Sequence, residues 1–521
     1  MRFGQLIFTT GAALALFGCP GRAGLYSESF EVFGPLEASG RLVWSVAPAH
    51  TLVALDPASE GPVAATALPF EPRALTSGAG RVLAMGEAAG GPRLATLDPS
   101  AGDLVQVDLP ALYDRILPSP DGAYAVLLFD PRIDPAAGDP VVRNANDVTV
   151  VDLAAGIATR VALDTESYAP RGVVFSPTGG RAAVVLDAGV VVLDLEKPSR
   201  RVSVPLVLDG GGRLTPEEVL FAADGGHLFV RSTGTTDVIS LKLEDDGDAL
   251  AASLNFLFLP GATSLADLAL VDGDAGQVAA LFQGQPGVSF AAILDADGDQ
   301  GKTRAIEIEA TLWHIVGLGD GLYLLHAAGT LLTSGAAVVG WEPATDRVDV
   351  DQLAGAATSQ PTVGGNVAFF RNQTGDSGSA AMTAVSVVRE ATRLRVKQRP
   401  LVLSGTLRDR VADPDGGRVL LAVDVDRAGS GAAPDYDDPD DDPRGTTGAL
   451  VVLAAESLAV EGVVLDDPIR QVGVVGAYYY AVHPDVFGDV TFVPRASLVR
   501  DSARRRDGFL LSGLLDAAGE D

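Results

Sequence analysis

The stretch "SPDGAYAVLLF", Ser119 to Phe129, followed by "VTVVDLAAG", Val148 to Gly156, carries the pattern on which the reading of this chain turns. The first segment is a tight turn feeding an apolar run. Asp-Gly supplies the positive φ angles that a short hairpin demands, and the residues after it are those of a buried strand. The second is an apolar run that ends on an aspartate and another turn.

Both segments recur. The first returns as "SPTGGRAAVVL" from Ser176, "AADGGHLFV" from Ala222, "GLGDGLYLL" from Gly317 and "ADPDGGRVLLAV" from Ala412. The second returns as "LVALDP" at Leu52, "LATLDPSAG" at Leu94, "VVVLDLEKP" at Val190, "AAILDADGD" at Ala291 and "VVGWEPATD" at Val338. More degenerate copies stand at Val238, Ala384, Leu450 and Val490. Taking the aspartate or its equivalent, ten positions from 56 to 494 give nine steps averaging about 49 residues. Such a period marks solenoids and propellers.

Each unit holds about four short strands and no amphipathic helix. A four-stranded sheet cannot bury both faces alone, whereas radial stacking against its neighbours buries them, which is the β-propeller solution. The "SPDG" and "VVDL…G" motifs resemble the YVTN and WD40-like β-propeller repeats of bacterial surface and periplasmic proteins. The expected fold is therefore all-β, a β-propeller of four-stranded antiparallel blades. Ten candidate units exceed the usual 4–8 blades. Either two units are irregular extensions, or the ring is unusually large, or the chain makes two rings. Joining the first and last units across the termini would lower the count by one, and a single ring of about eight is expected.

The N-terminus reads as an export signal. Arg2 precedes an apolar run from Leu6 to Phe17, too short to span a bilayer but of signal-core size. "LFGC", Leu16 to Cys19, resembles the bacterial lipobox, in which the cysteine is lipid-modified and becomes the mature N-terminus. Cys19 is the chain's single cysteine, as expected for a thiol kept as a lipid attachment site in an exported protein. By resemblance to sorting patterns, Pro20 favours the outer membrane. The expected organisation is a signal peptide over 1–18, a lipidated N-terminus and linker over 19–39, a propeller over 40–500 and a tail over 501–521.

Composition narrows the partners. Acidic residues number 68 against 38 basic ones, a formal net charge of -30, which argues against nucleic acid. Five histidines (His50, His227, His314, His326 and His483) have no metal-ligand spacing between them. Gly-x-Ser-x-Gly elbows and phosphate loops are absent, and no cysteine is left for thiol chemistry once Cys19 is lipidated. No cofactor site is expected.

Two acidic segments raise the question of calcium. In "LDADGDQGKTRAIEIE", Asp295, Asp297 and Asp299 alternate as the first ligands of an EF-hand loop do, but Gln300 takes the glycine position and Ile306 the twelfth. An Asp-rich hairpin turn is the alternative. The insertion 427–448, "RAGSGAAPDYDDPDDDPRGTTG", concentrates Asp435, Asp437, Asp438, Asp440, Asp441 and Asp442 beside Asp426. It reads as an extended, self-repelling loop or as a weak cation site. Trp44, Trp313 and Trp341 read as blade core or blade interface. "ARRRD", 503–507, reads as an exposed terminal turn that could touch headgroups or an acidic partner.

Two functions follow. One is a membrane-anchored, non-catalytic propeller lipoprotein that binds a protein or ligand as a scaffold in the bacterial envelope. The other is a propeller enzyme, lactonase-like or a cofactor-dependent dehydrogenase, with its site in the central channel.

Overall fold

The computed structural model describes residues 32–517, apart from 62, 134–143, 164–169, 209, 275, 328–330, 333–334, 359, 373–379, 404, 427–445 and 486. Cys19 and the six aspartates of 435–442 therefore lie outside the described residues.

Ten four-stranded antiparallel sheets follow one another along the chain, over 32–67, 72–108, 115–162, 172–205, 215–257, 264–308, 314–352, 362–403, 406–464 and 471–507. They are numbered here as blades 1 to 10. Within each blade the strands are hydrogen-bonded in chain order, and first strands of successive blades lie side by side, which places them around the axis. A small two-stranded sheet, Leu331–Leu332 with Ala357–Thr358, is added beside blade 7.

The period-2 alternation of the strands explains the assembly. In the second strand of blade 2, Leu83 and Met85 join the cluster shared with blade 3, while Val82 and Ala84 join the one shared with blade 1. In blade 4, Ala183 and Val185 face blade 5, and Ala182 and Val184 face blade 3. Ten hydrophobic clusters result, one at each junction between neighbouring blades. The tenth closes the circle: Leu42, Trp44 and Val53 of blade 1 meet Val475, Phe492, Phe509 and Leu510. The chain is a ten-bladed β-propeller.

All ten candidate units are thus blades, and the ring is larger than the eight expected. No blade is shared across the termini either. Blade 1 opens with its own strand, Val32–Ala38, and blade 10 closes with Arg504–Asp507. Both were hidden because innermost and outermost strands are only half covered and need no apolar run. The "ARRRD" stretch is therefore the rim strand of blade 10. Beyond it a short helix, Phe509–Ala517, lies against blade 1, with Phe509 4.5 Å from Trp44 between ring centroids.

The two sequence markers both map to one face. Each of the ten aspartates or equivalents lies in, at the end of, or just beyond its blade's third strand. The "SPDG" copies are the turns between first and second strands. In four of them one hydrogen bond closes the turn: Ser119 N to Tyr124 O, Ser176 N to Arg181 O, Ala222 N to His227 O and Asp413 N to Arg418 O, at 2.8–3.0 Å. Gly122, with φ +68°, is required here twice over, because a Cβ would also stand 2.2 Å from that of Ala79 in blade 2. These turns form a hoop, the turn face. The blade-to-blade connections and the loops between second and third strands form the opposite loop face.

Candidate functional site

The loop face differs in kind from the turn face. Among the described residues the exposed large aromatic side chains are Phe33, Phe258, Trp313 and Phe487. Phe33 opens a first strand, Phe258 follows a fourth strand, Trp313 precedes a first strand and Phe487 sits between second and third strands. All four belong to the loop face. Trp44 and Trp341 are buried in blade junctions as expected, while Trp313 is 39% exposed.

At the loop-face mouth the first strands are kinked. In blades 2, 5, 6 and 9 the ladder slips by one residue near the start of the first strand, with Arg73, Glu217, Ala266 and Arg408 as the extra residues. Bulges of this kind re-aim side chains. In blades 6 and 9 the residue after the bulge bonds the backbone of the next blade: Asp267 Oδ2 accepts from Ile315 N of blade 7 at 2.9 Å, and Asp409 Oδ2 from Val472 N of blade 10 at 3.0 Å.

Blade 5 departs from this rule. Glu218 stands at the same place, but its carboxyl accepts from Arg231 Nε and lies within the influence of the Asp267 charge of blade 6. Burial first, then the Asp267 charge, push Glu218 above the ordinary carboxylate range, partly offset by Arg231 at 3.2 Å. His314 Nδ1 lies 3.5 Å from Asp267 Oδ2, and its ring is 5.0 Å from that of buried His326. His326 donates from Nδ1 to Ala327 O at 3.1 Å, and desolvation pulls it down to about 4. A carboxyl held above its ordinary range, with a second carboxylate and an imidazole next to it, is equipped for proton exchange. Sequence reasoning missed them because they stand in separate blades; the signal was polar residues recurring one repeat step apart.

Clefts open along the same inner seams. One of about 550 Å³ crosses blades 1 to 3 and includes Phe33, Arg73, Asp114 and Arg115, with Arg73 paired to Asp114 at 3.0 Å. Another of about 350 Å³ lies where blade 10 meets blade 1, lined by Trp44, Arg470, His483 and Asp485. His483 is fully engaged there, donating from Nδ1 to Pro468 O at 2.7 Å and facing Thr491 Oγ1 with Nε2 at 2.8 Å.

The aspartate turn sits on the turn face of blade 6. Asp295 Oδ1 accepts from the backbone of Asp297 and Asp299 at 3.2 and 3.4 Å, and Oδ2 faces Lys302 Nζ at 3.2 Å. Asp297 faces Lys242 at 3.5 Å, and Asp299 accepts from Gly301 N at 2.9 Å. Lysine ammonium groups thus stand beside these carboxylates. Among the described residues no group of three or more His, Cys, Asp or Glu side chains is arranged to hold a metal ion.

No family model matches this chain, and no curated protein matches it. Among solved structures it is similar to the dihydro-heme d1 dehydrogenase NirN, at 14% identity over 77% of this chain and 76% of that one, with a TM-score of 0.40. It is also similar to the WD40 domain of SCAP from fission yeast (10% identity, 67% and 82% covered, TM-score 0.36). A eukaryotic initiation factor gives 12% identity, 73% and 98% covered, and a TM-score of 0.33. These are likenesses of shape. The propeller assignment rests on the ten sheets and their junctions. Among the described residues no helix is long and apolar enough to cross a membrane.

Proposed function

We propose that this chain is a binding or scaffold propeller of the bacterial envelope, tethered through a lipid on Cys19 and presenting its loop face to a protein or polymer partner. The observation that carries the docking half is that, among the described residues, the four exposed large aromatic side chains, Phe33, Phe258, Trp313 and Phe487, all lie on that face. Exposed aromatic groups supply rigid apolar area at low entropic cost and anchor protein contacts. The excess of acid over base disfavours nucleic acid as the occupant. The tether half draws on the N-terminal apolar run and the solitary cysteine, with Pro20 favouring the outer membrane.

Two measurements test it. Membrane fractionation of wild type and Cys19→Ser should move the protein from the membrane to the soluble fraction; retention of the variant on the membrane overturns the tether. Crosslinking from envelope extracts should lose its product on combining Trp313→Ala with Phe487→Ala, and keep it on Tyr124→Phe at the turn face. Equal loss from both faces overturns the docking assignment.

A second reading, a channel enzyme of the lactonase or dehydrogenase kind, draws on Glu218, Asp267 and His314. Turnover of a lactone or an alcohol by the purified chain that falls at least a hundredfold in Glu218→Gln would replace the scaffold reading.

A further inference from the structure

The seam between blades 8 and 9 holds two arginines that pair with no carboxylate among the described residues. Arg371 ends the second strand of blade 8, and Arg410 lies in the first strand of blade 9. Strand alternation turns both toward the shared seam. Arg371 Nη2 donates to Leu407 O of blade 9 at 3.2 Å, and Arg410 Nη2 donates to Gln360 O beside blade 8 at 2.7 Å. Neither guanidinium pairs with a carboxylate among the described residues, and Arg410 Nη1 is buried with no hydrogen-bond partner. Burial, and then the Arg371 charge, draw Arg410 below the ordinary guanidinium range, so the two cations are close enough to repel.

Four other arginines around the mouth do meet acids: Arg73 meets Asp114, Arg115 meets Asp130, Arg171 meets Asp187 and Arg231 meets Glu217. The acids nearest Arg410 in sequence are already used. Asp409 accepts from Arg410 N at 2.8 Å and from Val472 N at 3.0 Å, and Asp413 and Asp415 are both paired with Arg495. In a chain with a net charge of -30, acids to neutralise this seam were plentiful. Two guanidinium groups anchored to carbonyls, one with a buried N–H pointing at nothing, form a preorganised fork for oxygen anions.

We propose that the seam between blades 8 and 9 is an oxyanion-binding subsite, in which Arg371 and Arg410 receive a phosphate or carboxylate group of a ligand. The inference stands apart from the tether and from aromatic docking, since neither Arg371 nor Arg410 enters those arguments. An anion there removes the repulsion between the cations and satisfies the orphaned N–H together. Arg371, at the exposed end of its strand, makes first contact, and half-buried Arg410 closes beneath it.

Calorimetric titration of the full chain with inorganic phosphate and, separately, with citrate at constant ionic strength tests this. At least one should bind saturably in the wild type, and whichever binds more tightly identifies a phosphorylated or a carboxylated ligand. Arg371→Gln and Arg410→Gln should each weaken binding at least tenfold, while Arg395→Gln on the outer strand should not. Absence of saturable binding by both anions, or equal affinity in the seam variants, overturns the proposal. Should Arg410→Gln fail to fold, phenylglyoxal labelling of the wild type decides: the binding anion should slow modification of Arg371 at least fivefold while leaving Arg395 unchanged. Unaltered labelling of Arg371 overturns the subsite.

Discussion

Arg495 and Asp413, 82 residues apart in sequence, meet across the junction of blades 9 and 10 in a two-pronged ion pair at 2.9 and 2.8 Å. Asp413 belongs to the first turn of blade 9 and its side chain is fully buried; Arg495 follows the third strand of blade 10 and stacks 5.6 Å over the ring of Tyr479. Tyr479 completes the group, donating to Asp413 at 3.2 Å and accepting from Arg418 at 3.0 Å. Removing one partner of such a pair strands a buried charge.

Arg495→Met should therefore destabilise the protein by about 3 kcal/mol, and combining it with Asp413→Asn should recover part of that loss. Denaturant midpoints of the two single variants and the double variant measure the coupling. An Arg495→Met variant as stable as the wild type would contradict the burial described.

Acidification should weaken the fold through His326. Its folded value, about 4, lies below the unfolded value of about 6.5, so below pH 6.5 the unfolded chain binds the proton first. The neutral imidazole's contribution is complete above about pH 6.5 and falls away as pH drops through 4, by about 3 kcal/mol in all. His326→Gln removes the titration, so stability curves of variant and wild type over pH 4 to 7 should differ in slope.

Ring closure depends on the C-terminal helix. Phe509 is 2% exposed and fills the junction of blades 10 and 1 beside Trp44. Phe509→Ala should cost about 3–5 kcal/mol. Hydrogen exchange should rise first in blades 1 and 10 and stay low in blades 4 to 6; uniform loosening would deny the junction a special place.

Two glycines with one φ separate strain from crowding. Gly122 and Gly156 both sit at φ +68°, but an added Cβ meets Ala79 at 2.2 Å in the first case and only Val107 at 3.9 Å in the second. Gly156→Ala should cost about 1 kcal/mol, and Gly122→Ala about 1–3 kcal/mol more. Melting temperatures of the pair give the comparison directly.

The architecture was largely readable in advance because it is written in local rules. A buried third strand must be apolar and must end in a turn, so ten aspartates or their stand-ins mark ten repeat units, although a ring of about eight was the expectation drawn from them. The rim strands obey no such rule. Arg504–Asp507 is charged throughout and still pairs with its neighbour, with Arg505 meeting Asp489 and Asp467. The seam sites are invisible in the same way: Glu218, Asp267 and His314 are ordinary polar residues until three blades come together, and so are Arg371 and Arg410.

The all-β character, the repeat length, the number of units and the turn chemistry are written in the chain, because strand period and glycine conformation act between near neighbours. How many units close one circle, which face gathers the loops and which charges are left facing each other emerged on folding. Those outcomes depend on the angle between sheets and on side chains meeting about fifty residues apart, where no local rule reaches.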